Sequence, residues 1–430
     1  MVGLPGFRNK IGLIPNMRIL YLNHYAGSPK HGMEYRPYYL SREWLKSGDK
    51  VNILAASYSH LRQNNPKDLP GLFGEEEIDG IIYSWYATPK YSGNGIGRVL
   101  NIFVYLFQVW NMSRFFVNKW TPDVVIASST YPLDIYPARF IAKHAKARLI
   151  FEVHDLWPLT PVEVGGMSPR HPWIWLLQKA ENFAYRVSDA VVSMLPCAKE
   201  HMVEHGMAPE KFHYVPNGIV VSEWESATQS LPEVHLAKIE QLKAQGHFLV
   251  GYAGGHGLAN ALQELLKAAD WLRDEPVSFV LVGDGPDKLA LEQMARELGL
   301  GNVHFLPPVA KAAVPALLAH MDALFIGWRK LPIYRFGINP NKLFDYMMSA
   351  RPVIHSVEAG NDIVREAQAG LSVAAEDPAA IAAAVRQLMA MDPAERQRLG
   401  ENGKRYVLDN HDYSVLAKRF QKLFKRSKAS

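Results

Sequence analysis

The strongest constraint on the fold is a strand–loop–helix unit that occurs twice in the chain. Met17 to Asn23 (MRILYLN) is a short apolar run typical of a buried parallel strand, and the glycine-containing loop HYAGSPKHGME and a helical pattern follow it. Phe248 to Ala253 (FLVGYA) begins the same order of elements, and its loop reads GGHG. Strand runs alternate with helical runs after both units. The pattern therefore predicts an α/β fold with two parallel sheets, each covered by helices on both faces.

The length of 430 residues suits two domains of roughly 200 residues each. A Pro-Asn-Gly turn ends the run Lys211 to Gly218, and a polar stretch follows it. We place the domain boundary there, which gives a first domain over 1–221, a second over 222–405 and a C-terminal helical segment over 406–430. Further strands are predicted at 51–56, 81–85, 123–128, 148–153 and 190–193, and then at 277–282, 303–306, 323–326, 352–354 and 372–374.

Composition narrows the classes of partner. The net charge of +5 and the pI near 9.0 are compatible with anionic substrates, anionic lipid or nucleic acid. No dense basic run with interleaved aromatic residues occurs, which disfavours nucleic acid. The single Cys197 excludes an intramolecular disulfide, and no Cys/His spacing typical of a metal site is present. We read residues 1–16 as an extension before the first strand, because their apolar stretch is too short for a signal peptide.

An aromatic stretch, Val99 to Trp120, is the most apolar part of the first half. No window reaches the length of a membrane-spanning helix, but apolar bulk with cationic flanks is typical of a helix lying in a membrane interface. A helix buried in the first domain would have the same composition, so both interpretations stay open. The residues assigned to membrane or acceptor contact are Arg98, Phe103, Phe107, Trp110, Arg114 and Phe116.

The stretch Tyr334 to Ile354 predicts an anion site. A Gly- and Pro-containing loop precedes an apolar helix, Lys342 to Met348, and the first amides of a helix attract anions. Lys342 adds a cation to the first turn, where acidic residues are the usual choice. A bound diphosphate would account for this charge, and Asp345 could then accept hydrogen bonds from sugar hydroxyls. The cations Arg329, Lys330 and Arg335 precede the helix, although a solvated basic surface would show the same run.

Other motifs exclude several chemistries. Neither glycine loop spells GxGxxG, and no GxxxxGK[ST] sequence occurs, so nicotinamide and P-loop nucleotide sites are disfavoured. GxSxG and HExxH are also absent from the sequence. His154 and Asp155 end a buried strand, where polar side chains of an open α/β sheet reach a ligand; a local hydrogen-bonded pair is the alternative.

Taken together, these segments resemble the retaining GT-B glycosyltransferases of family 4, and most of all the bacterial surface-polysaccharide branch that includes the N-acetyl-L-fucosamine transferases. The resemblance spans nearly all of the chain after Met17. The segments that carry it are HYAGSPKHGMEYRPYYLSREW (24–44), AASYSHLRQ (55–63), EVHDLWPLTPVEVGGMSPRHP (152–172), VPNGI (215–219), GYAGGHGLANAL (251–262), VGDGP (282–286) and FGINPNKLFDYM (336–347).

The resemblance implies two Rossmann-like domains facing across a cleft, with the acceptor on the first, a nucleotide-sugar on the second and the final helix crossing back to the first. It also implies metal-independent transfer with retention of anomeric configuration. Residues implied to bind the nucleotide-sugar are Gly27, Gly254, Gly255, Gly257, Arg329, Lys330, Gly337, Asn341 and Asp345. Residues implied in catalysis are His154, Lys342 and Arg335.

Two departures from the family pattern stand out. Asp345 falls where the family has the second Glu of its E-x7-E motif, but Gly337 occupies the position of the first. The Arg and Lys that often follow the first strand of the second domain are also missing, and His256 stands in that region. Lys342 and the group Arg329, Lys330 and Arg335 are the expected replacements for this charge.

The expected function is transfer of an N-acetylhexosamine, such as N-acetyl-L-fucosamine, from a UDP-sugar to a polyprenyl-diphosphate-linked saccharide in O-antigen or capsule synthesis. UDP-sugar is a donor substrate, and no cofactor or metal is expected. The expected location is the cytoplasm, peripheral on the inner face of the cytoplasmic membrane. A GDP-sugar-dependent transferase, a UDP-sugar 2-epimerase of the same fold and a non-catalytic assembly scaffold are the alternatives. Incubation with UDP-GlcNAc alone separates transferase from epimerase, since a transferase yields no free epimer.

Overall fold

The computed structural model describes residues 16–67, 69–93, 95–227 and 229–425. The N-terminal extension predicted for residues 1–16 lies almost entirely outside them. Two compact units are present: one contains the chain up to Ala127 and Pro137–Leu149, and the other contains Ser128–Tyr136 and the chain from Ile150 onward. This division crosses the chain more than once, and the predicted domain boundaries stay predictions.

The first unit is built on a sheet with the order β3-β4-β2-β1-β5. Its elements are β1 (Arg18–Leu22), α1 (Arg36–Lys46), β2 (Lys50–Ala56), β3 (Phe73–Ile78), β4 (Ile81–Tyr86), α2 (Ile96–Phe115) and β5 (Val124–Ala127), and α3 (Ile135–Ala145) falls partly in each unit. β1 pairs in parallel with β2 and β5, with Leu20 opposite Asn52 and Val125. Four consecutive residues of β1 are buried, as expected for a strand with parallel neighbours on both sides.

The second unit begins with a three-stranded parallel ribbon and its helices. These elements are β6 (Arg148–Val153), α4 (Leu159–Glu163), α5 (Pro172–Val187), β7 (Ala190–Ser193), α6 (Lys199–Glu204), β8 (Phe212–Tyr214), α7 (Val221–Glu225) and α8 (Glu233–Ala244). β7 pairs in parallel with β6 and β8. The buried strands are short and apolar, except for Glu152 on β6, which is fully buried.

A six-stranded parallel sheet with the order β11-β10-β9-β12-β13-β14 forms the rest of the second unit. Its elements are β9 (Phe248–Ala253), α9 (Leu262–Trp271), β10 (Val277–Val282), α10 (Lys288–Glu297), β11 (Val303–Leu306), α11 (Val314–Ala319), β12 (Ala323–Gly327), α12 (Asn341–Met348), β13 (Val353–Ser356), α13 (Ile363–Glu366), β14 (Gly370–Val373), α14 (Pro378–Ala390), α15 (Pro393–Asn410) and α16 (Tyr413–Gln421).

Two hydrophobic cores cover the two faces of this sheet. Leu249 and Val280 lie in the core that includes α12, whereas Val250 and Phe279 lie in the core that includes α9 and α14. Successive residues of a strand point to opposite faces, so both faces of β9 and β10 must be apolar. This explains why these strands read as unbroken apolar runs.

Most predicted elements match the structure within two residues, but β8 was missed, and so was β3. Its sequence, FGEEEI, carries three carboxylates and has low strand propensity. β3 pairs with β4 in an antiparallel arrangement at the edge of the sheet, where charged side chains remain in contact with solvent. Tertiary pairing therefore overrides the local preference of this segment.

The C-terminal segment packs against residues 217–219 within the second unit. Ile219 N donates to His411 O at 2.8 Å, and Tyr413 N donates to Ile219 O at 3.0 Å. An added Cβ at Gly218 would lie 2.1 Å from His411 O, so this close backbone approach requires glycine. The residues that lead into α16 are therefore hydrogen-bonded to the backbone directly after the Pro-Asn-Gly turn.

Candidate functional site

Two glycine loops meet at the carboxyl ends of β9 and β10. Gly254 N donates to Val282 O at 3.0 Å, and His256 N donates to Asp284 O at 2.8 Å. An added Cβ at Gly283, where φ is +151°, would lie 2.0 Å from Gly254 O. Glycine is therefore required at Gly283 for the loops to pack. Ligands of open α/β sheets bind at this edge, outside the carboxyl ends of the strands.

Gly255 and Gly257 face open space. The nearest atom to an added Cβ at Gly255 is Asp284 O at 4.0 Å, and none lies within 4 Å of one at Gly257. Packing therefore does not require glycine at either position. The loop instead leaves its backbone accessible, as expected where a phosphate approaches the main chain.

Lys342 lies in the first turn of α12 beside the first of these loops. Its Nζ donates to Tyr252 Oη at 2.8 Å and to Asn260 Oδ1 at 2.6 Å, and it would be 3.3 Å from a Cβ added at Gly254. Among the described residues, no carboxylate lies within 4.0 Å of this ammonium group. Burial lowers the pKa of Lys342 to about 8, so the side chain still carries a charge at pH 7. A buried, unneutralised cation at a helix start is suited to an anionic ligand.

Asp345 follows Lys342 on the same helix, and Asn341 begins the helix with an exposed side chain. Burial raises the pKa of Asp345 to about 7, and the charge of Lys311 partly opposes this shift. The carboxyl group is thus divided between its protonated and ionised forms at neutral pH. In its ionised form, this partly buried carboxylate can accept hydrogen bonds from hydroxyl groups of a ligand.

His256 does not replace the missing family cations. Its side chain is fully buried, and burial lowers its pKa to about 4. The ring is therefore neutral at pH 7 and provides no positive charge. Lys342 brings a cation to the glycine loop after β9, and Lys288 brings one to the loop after β10, where its Nζ donates to Gly283 O at 3.0 Å.

The three cations before α12 are each paired with a different glutamate. Arg329 lies 3.4 Å from Glu376, Lys330 lies 2.9 Å from Glu358, and Arg335 forms a two-pronged pair with Glu163 at 2.7 Å. Lys330 and Arg335 line one cavity of about 550 Å³, together with Glu358. The positive charges of these three residues are thus balanced by carboxylates. Their predicted role in binding phosphate stays a prediction.

Gly337 has no room for a side chain. Its φ is +100°, and an added Cβ would lie 2.5 Å from Pro196 Cδ and 3.0 Å from Asn361 Oδ1. A glutamate at this position would be strained and would collide with both residues. The missing carboxylate of the E-x7-E pattern is therefore a consequence of how the chain turns here.

His154 follows β6 and points toward buried polar groups. Its Nε2 lies 2.7 Å from Ser128 Oγ and 3.4 Å from Glu152 Oε2. Asp155 instead accepts hydrogen bonds from Leu156 N at 2.9 Å and Thr160 Oγ1 at 2.7 Å, which stabilise the local turn. The two adjacent polar residues thus have separate roles, and only His154 joins a network with distant residues.

In the first unit, Gly27 belongs to a loop that folds back on itself. Gly27 N donates to Glu34 O at 2.8 Å, and an added Cβ would lie 1.8 Å from Gly32 O. Beneath this loop, the buried guanidinium of Arg62 donates to the carbonyl groups of Ala26 and His24 at 2.7 and 3.0 Å. Packing of the loop already requires glycine at this position, so the predicted contact of Gly27 with diphosphate stays a prediction.

The aromatic helix is neither fully buried nor fully exposed. Phe103, Phe107 and Trp110 are exposed by 44%, 66% and 48%, and they follow helical spacing along one side of α2. Ile96, Leu100 and Arg114 are exposed on the same stripe, while Arg98 donates to Tyr25 Oη at 3.1 Å.

Phe116 corrects the prediction made for this helix. Its side chain is 0% exposed, so it does not contact a membrane in this structure. Its position continues the buried face of Ile102, Tyr105, Val109 and Ser113 rather than the exposed stripe. The predicted membrane or acceptor contacts of the other residues stay predictions.

Sequence reasoning missed residues that support the predicted ones. Tyr252 and Asn260 hold Lys342, and Ser128 and Glu152 hold His154. Ser128 follows β5, where a polar residue directly after a buried strand was an available signal. A carboxylate inside the apolar run RLIFEV was a second signal, since buried acidic residues are rare without a partner.

Comparisons with known proteins agree with this architecture. Residues 31–218 match the family described as glycosyl transferase 4-like domain, and residues 247–391 match the family described as glycosyl transferases group 1. The crystal structure of Anabaena Alr3699/HepE in complex with UDP and glucose is similar over 95% of this chain and 99% of that one, with a TM-score of 0.63 and 16% identity. The chain therefore has the two domains of a GT-B glycosyltransferase.

A second solved structure and a related sequence extend the comparison. The crystal structure of WaaG, a glycosyltransferase involved in lipopolysaccharide biosynthesis, is similar over 93% of this chain and 98% of that one, with a TM-score of 0.61 and 16% identity. A protein of Escherichia coli (strain K12) named as a colanic acid biosynthesis glycosyl transferase, WcaI, is 26% identical over 207 residues. That match covers 48% of this chain and 50% of the E. coli protein. The predicted two-domain α/β fold of GT-B type is confirmed.

Proposed function

We propose that this protein is a retaining, metal-independent glycosyltransferase that moves a sugar from a UDP-sugar to a lipid-linked saccharide in bacterial surface-polysaccharide synthesis. The observation that carries the proposal is the buried Lys342 ammonium, which lies beside the glycine loop after β9 and has no carboxylate partner among the described residues. The relatives named above support a role in polysaccharide or lipopolysaccharide synthesis. UDP is the expected nucleotide because the Anabaena structure holds UDP.

The chemistry of sugar transfer explains the need for this cation. When the bond between the sugar and the diphosphate breaks, negative charge develops on the departing phosphate oxygens. Lys342 and the amide groups at the start of α12 stabilise that charge, and they are already oriented before the substrate binds. Gly255 and Gly257 allow the main chain to approach the phosphates, and Asp345 accepts hydrogen bonds from the ribose hydroxyls.

The donor sugar expected from the family resemblance is an N-acetylhexosamine such as N-acetyl-L-fucosamine. Retention of anomeric configuration is expected on the same ground, through a front-face substitution in which the leaving diphosphate helps to deprotonate the acceptor. Neither expectation requires a covalent intermediate on the protein.

A lipid-linked acceptor requires access to a membrane surface, and the exposed stripe of α2 is suited to it. Phe103, Phe107 and Trp110 offer apolar and amphipathic contact area, and Arg114 is a cation next to them. None of the helices in the described part of the chain is long and apolar enough to span a bilayer. We propose that the protein contacts the membrane peripherally through this exposed stripe of α2.

A donor screen tests the proposal directly. Calorimetry should detect binding of UDP and of UDP-sugars to the purified protein, and binding of GDP should be at least tenfold weaker. Asp345→Ala and Lys342→Ala should both weaken UDP binding and reduce transfer to a polyprenyl-diphosphate saccharide. Tight binding of GDP in place of UDP would contradict the donor assignment, and transfer by both variants at the wild-type rate would contradict the site.

A further inference from the structure

A buried polar network contacts the Nε2 side of the His154 ring. Ser128 Oγ donates to Glu152 Oε2 at 2.6 Å, and the same oxygen lies 2.7 Å from His154 Nε2. Ser128 and Glu152 are fully buried, whereas 11% of the His154 side chain is exposed. The network thus runs from the interior of the second unit to a ring that reaches solvent.

Counting hydrogens assigns the tautomer of the ring. A serine hydroxyl has one hydrogen, and that hydrogen is directed to Glu152. Ser128 Oγ must then accept a hydrogen bond from His154, so the ring proton lies on Nε2. In the neutral ring, the second nitrogen, Nδ1, then has a lone pair and can accept a hydrogen bond.

Ser128 is itself held in place. Asp134 Oδ2 accepts hydrogen bonds from Ser128 N at 3.2 Å and Ser129 N at 2.9 Å, and Asp134 is fully buried. The segment after β5 is thereby fixed relative to Glu152. Ser128 is not a nucleophile in this arrangement, because its hydroxyl group is buried and already engaged on both sides.

The position of Glu152 is costly for the fold. A carboxylate inside a parallel sheet loses its hydration, and replacement by an apolar residue often stabilises a protein. Here the carboxylate accepts a hydrogen bond from Ser128 and lies 3.4 Å from His154 Nε2. Its retention in the interior suggests a task that an apolar residue could not perform.

We propose that Glu152 and Ser128 are positioning residues that hold His154 with its proton on Nε2, so that Nδ1 accepts a hydrogen bond from a sugar hydroxyl at the reaction centre. This inference rests on the proposed glycosyltransferase function. The hydroxyl belongs either to the donor sugar or to the acceptor saccharide, and steady-state kinetics distinguish these two sources. Loss of the hydrogen bond should raise the KM of the substrate that provides it.

Two substitutions of His154 separate the nitrogen atoms. Asparagine places a polar atom near Nδ1 but cannot reach Ser128, whereas glutamine reaches Ser128 but offers no acceptor near Nδ1. We expect His154→Asn to retain at least tenfold more transfer activity than His154→Gln, while both variants bind UDP like the wild type. Equal activities, or higher activity in His154→Gln, would overturn the inference.

A double-mutant cycle tests whether Glu152 acts through His154. In Glu152→Gln, the new amide can donate to Nε2 and so favours the opposite tautomer. We expect kcat to fall about tenfold or more, with unchanged UDP affinity. In the His154→Gln background, Glu152→Gln should cause no further loss, because its effect passes through the ring. Independent, multiplying losses would indicate a merely structural role and would overturn the proposal.

Failure of this inference is distinguishable from failure of the proposed function. If the wild-type protein neither binds UDP nor transfers sugar, the proposed function fails. If the wild type transfers sugar and Glu152→Gln does so with the same kcat and KM values, the positioning role fails while the function stands. Serine removal gives a second measurement: Ser128→Ala should reduce kcat without changing UDP affinity, and wild-type kcat in this variant would also overturn the role.

Discussion

Replacement of Lys342 by methionine is expected to stabilise the folded protein while it weakens UDP binding. Methionine has a similar length and no charge, so the substitution removes the ammonium group without leaving a large cavity. A variant that is more stable but binds UDP more weakly would show that Lys342 serves ligand binding rather than folding. If Lys342 were needed for the fold, its replacement would lower both the stability and the affinity for UDP.

The magnitude follows from the pKa of Lys342. Burial lowers this pKa from 10.5 to about 8, so the charged form is disfavoured in the folded state. At about 1.36 kcal/mol per pH unit, that difference of 2.5 corresponds to about 3 kcal/mol. Because the folded-state value is the lower one, the cost is complete below pH 8 and disappears as the pH rises through 10.5. Loss of the hydrogen bonds to Tyr252 and Asn260 subtracts from the gain, so we expect a net stabilisation of about 1–3 kcal/mol at pH 7.

Chemical denaturation and calorimetry measure the two effects. The denaturation midpoint of Lys342→Met should exceed that of the wild type at pH 7, and the difference should shrink between pH 8 and pH 10.5. The dissociation constant of UDP should rise about 10- to 100-fold, because a charge-assisted hydrogen bond is lost. Lys267→Met is the matched control, since Lys267 pairs with Glu264 on the surface of α9 and lies outside the glycine loops. Lower stability of Lys342→Met, or unchanged UDP affinity, would refute the reasoning.

Three further predictions concern the same features. UDP affinity should be highest between about pH 7 and pH 8, because Asp345 loses its acceptor form as the pH falls through about 7 and Lys342 loses its charge as the pH rises through about 8. In calorimetry, Asp345→Asn should abolish the loss of UDP affinity on the acidic side of this optimum. If that loss persists in Asp345→Asn, another group causes it. Gly283→Ala should weaken UDP binding at least tenfold because its Cβ would lie 2.0 Å from a backbone oxygen, whereas Gly301→Ala, at an open position, should bind normally. The double substitution Phe103→Ser and Phe107→Ser should reduce sedimentation of the protein with anionic vesicles and leave its stability unchanged. The buried-site substitution Phe116→Ser should instead lower the free energy of unfolding by about 3–5 kcal/mol. If the Phe103/Phe107 double variant alters only stability, α2 is not a membrane contact.

The strands and helix α12 could be predicted from local sequence. Runs such as Val277 to Val282 are apolar at every position, because both faces of an inner parallel strand are covered. The glycine loops and the first turn of α12 are similarly local, since each feature needs only a few adjacent residues. β3 could not be predicted in this way, because its three glutamates are tolerated only at a sheet edge, and pairing with β4 is a non-local property.

The carboxylate partners of the four cations could not be predicted from local sequence. Arg329, Lys330, Arg335 and Lys342 are similar in sequence terms, and their spacing alone predicts one shared anion site. Folding gives the first three their own glutamates, one of which is 172 residues away, and leaves only Lys342 beside the glycine loop without a carboxylate. Charge balance depends on which side chains meet, and sequence spacing does not contain that information.

The sequence by itself thus determined the α/β class, the two strand–loop–helix units and the position of Asp345 and Lys342 on one helix start. Periodicity and glycine placement act over a few residues, so they can be read from the chain directly. Tertiary structure alone decided that Gly337 has no room for a carboxylate, that Phe116 is buried and that Ser128 and Glu152 orient His154. Each of these depends on contacts between residues that are distant in sequence, where burial and hydrogen bonding are set by packing rather than by local preference.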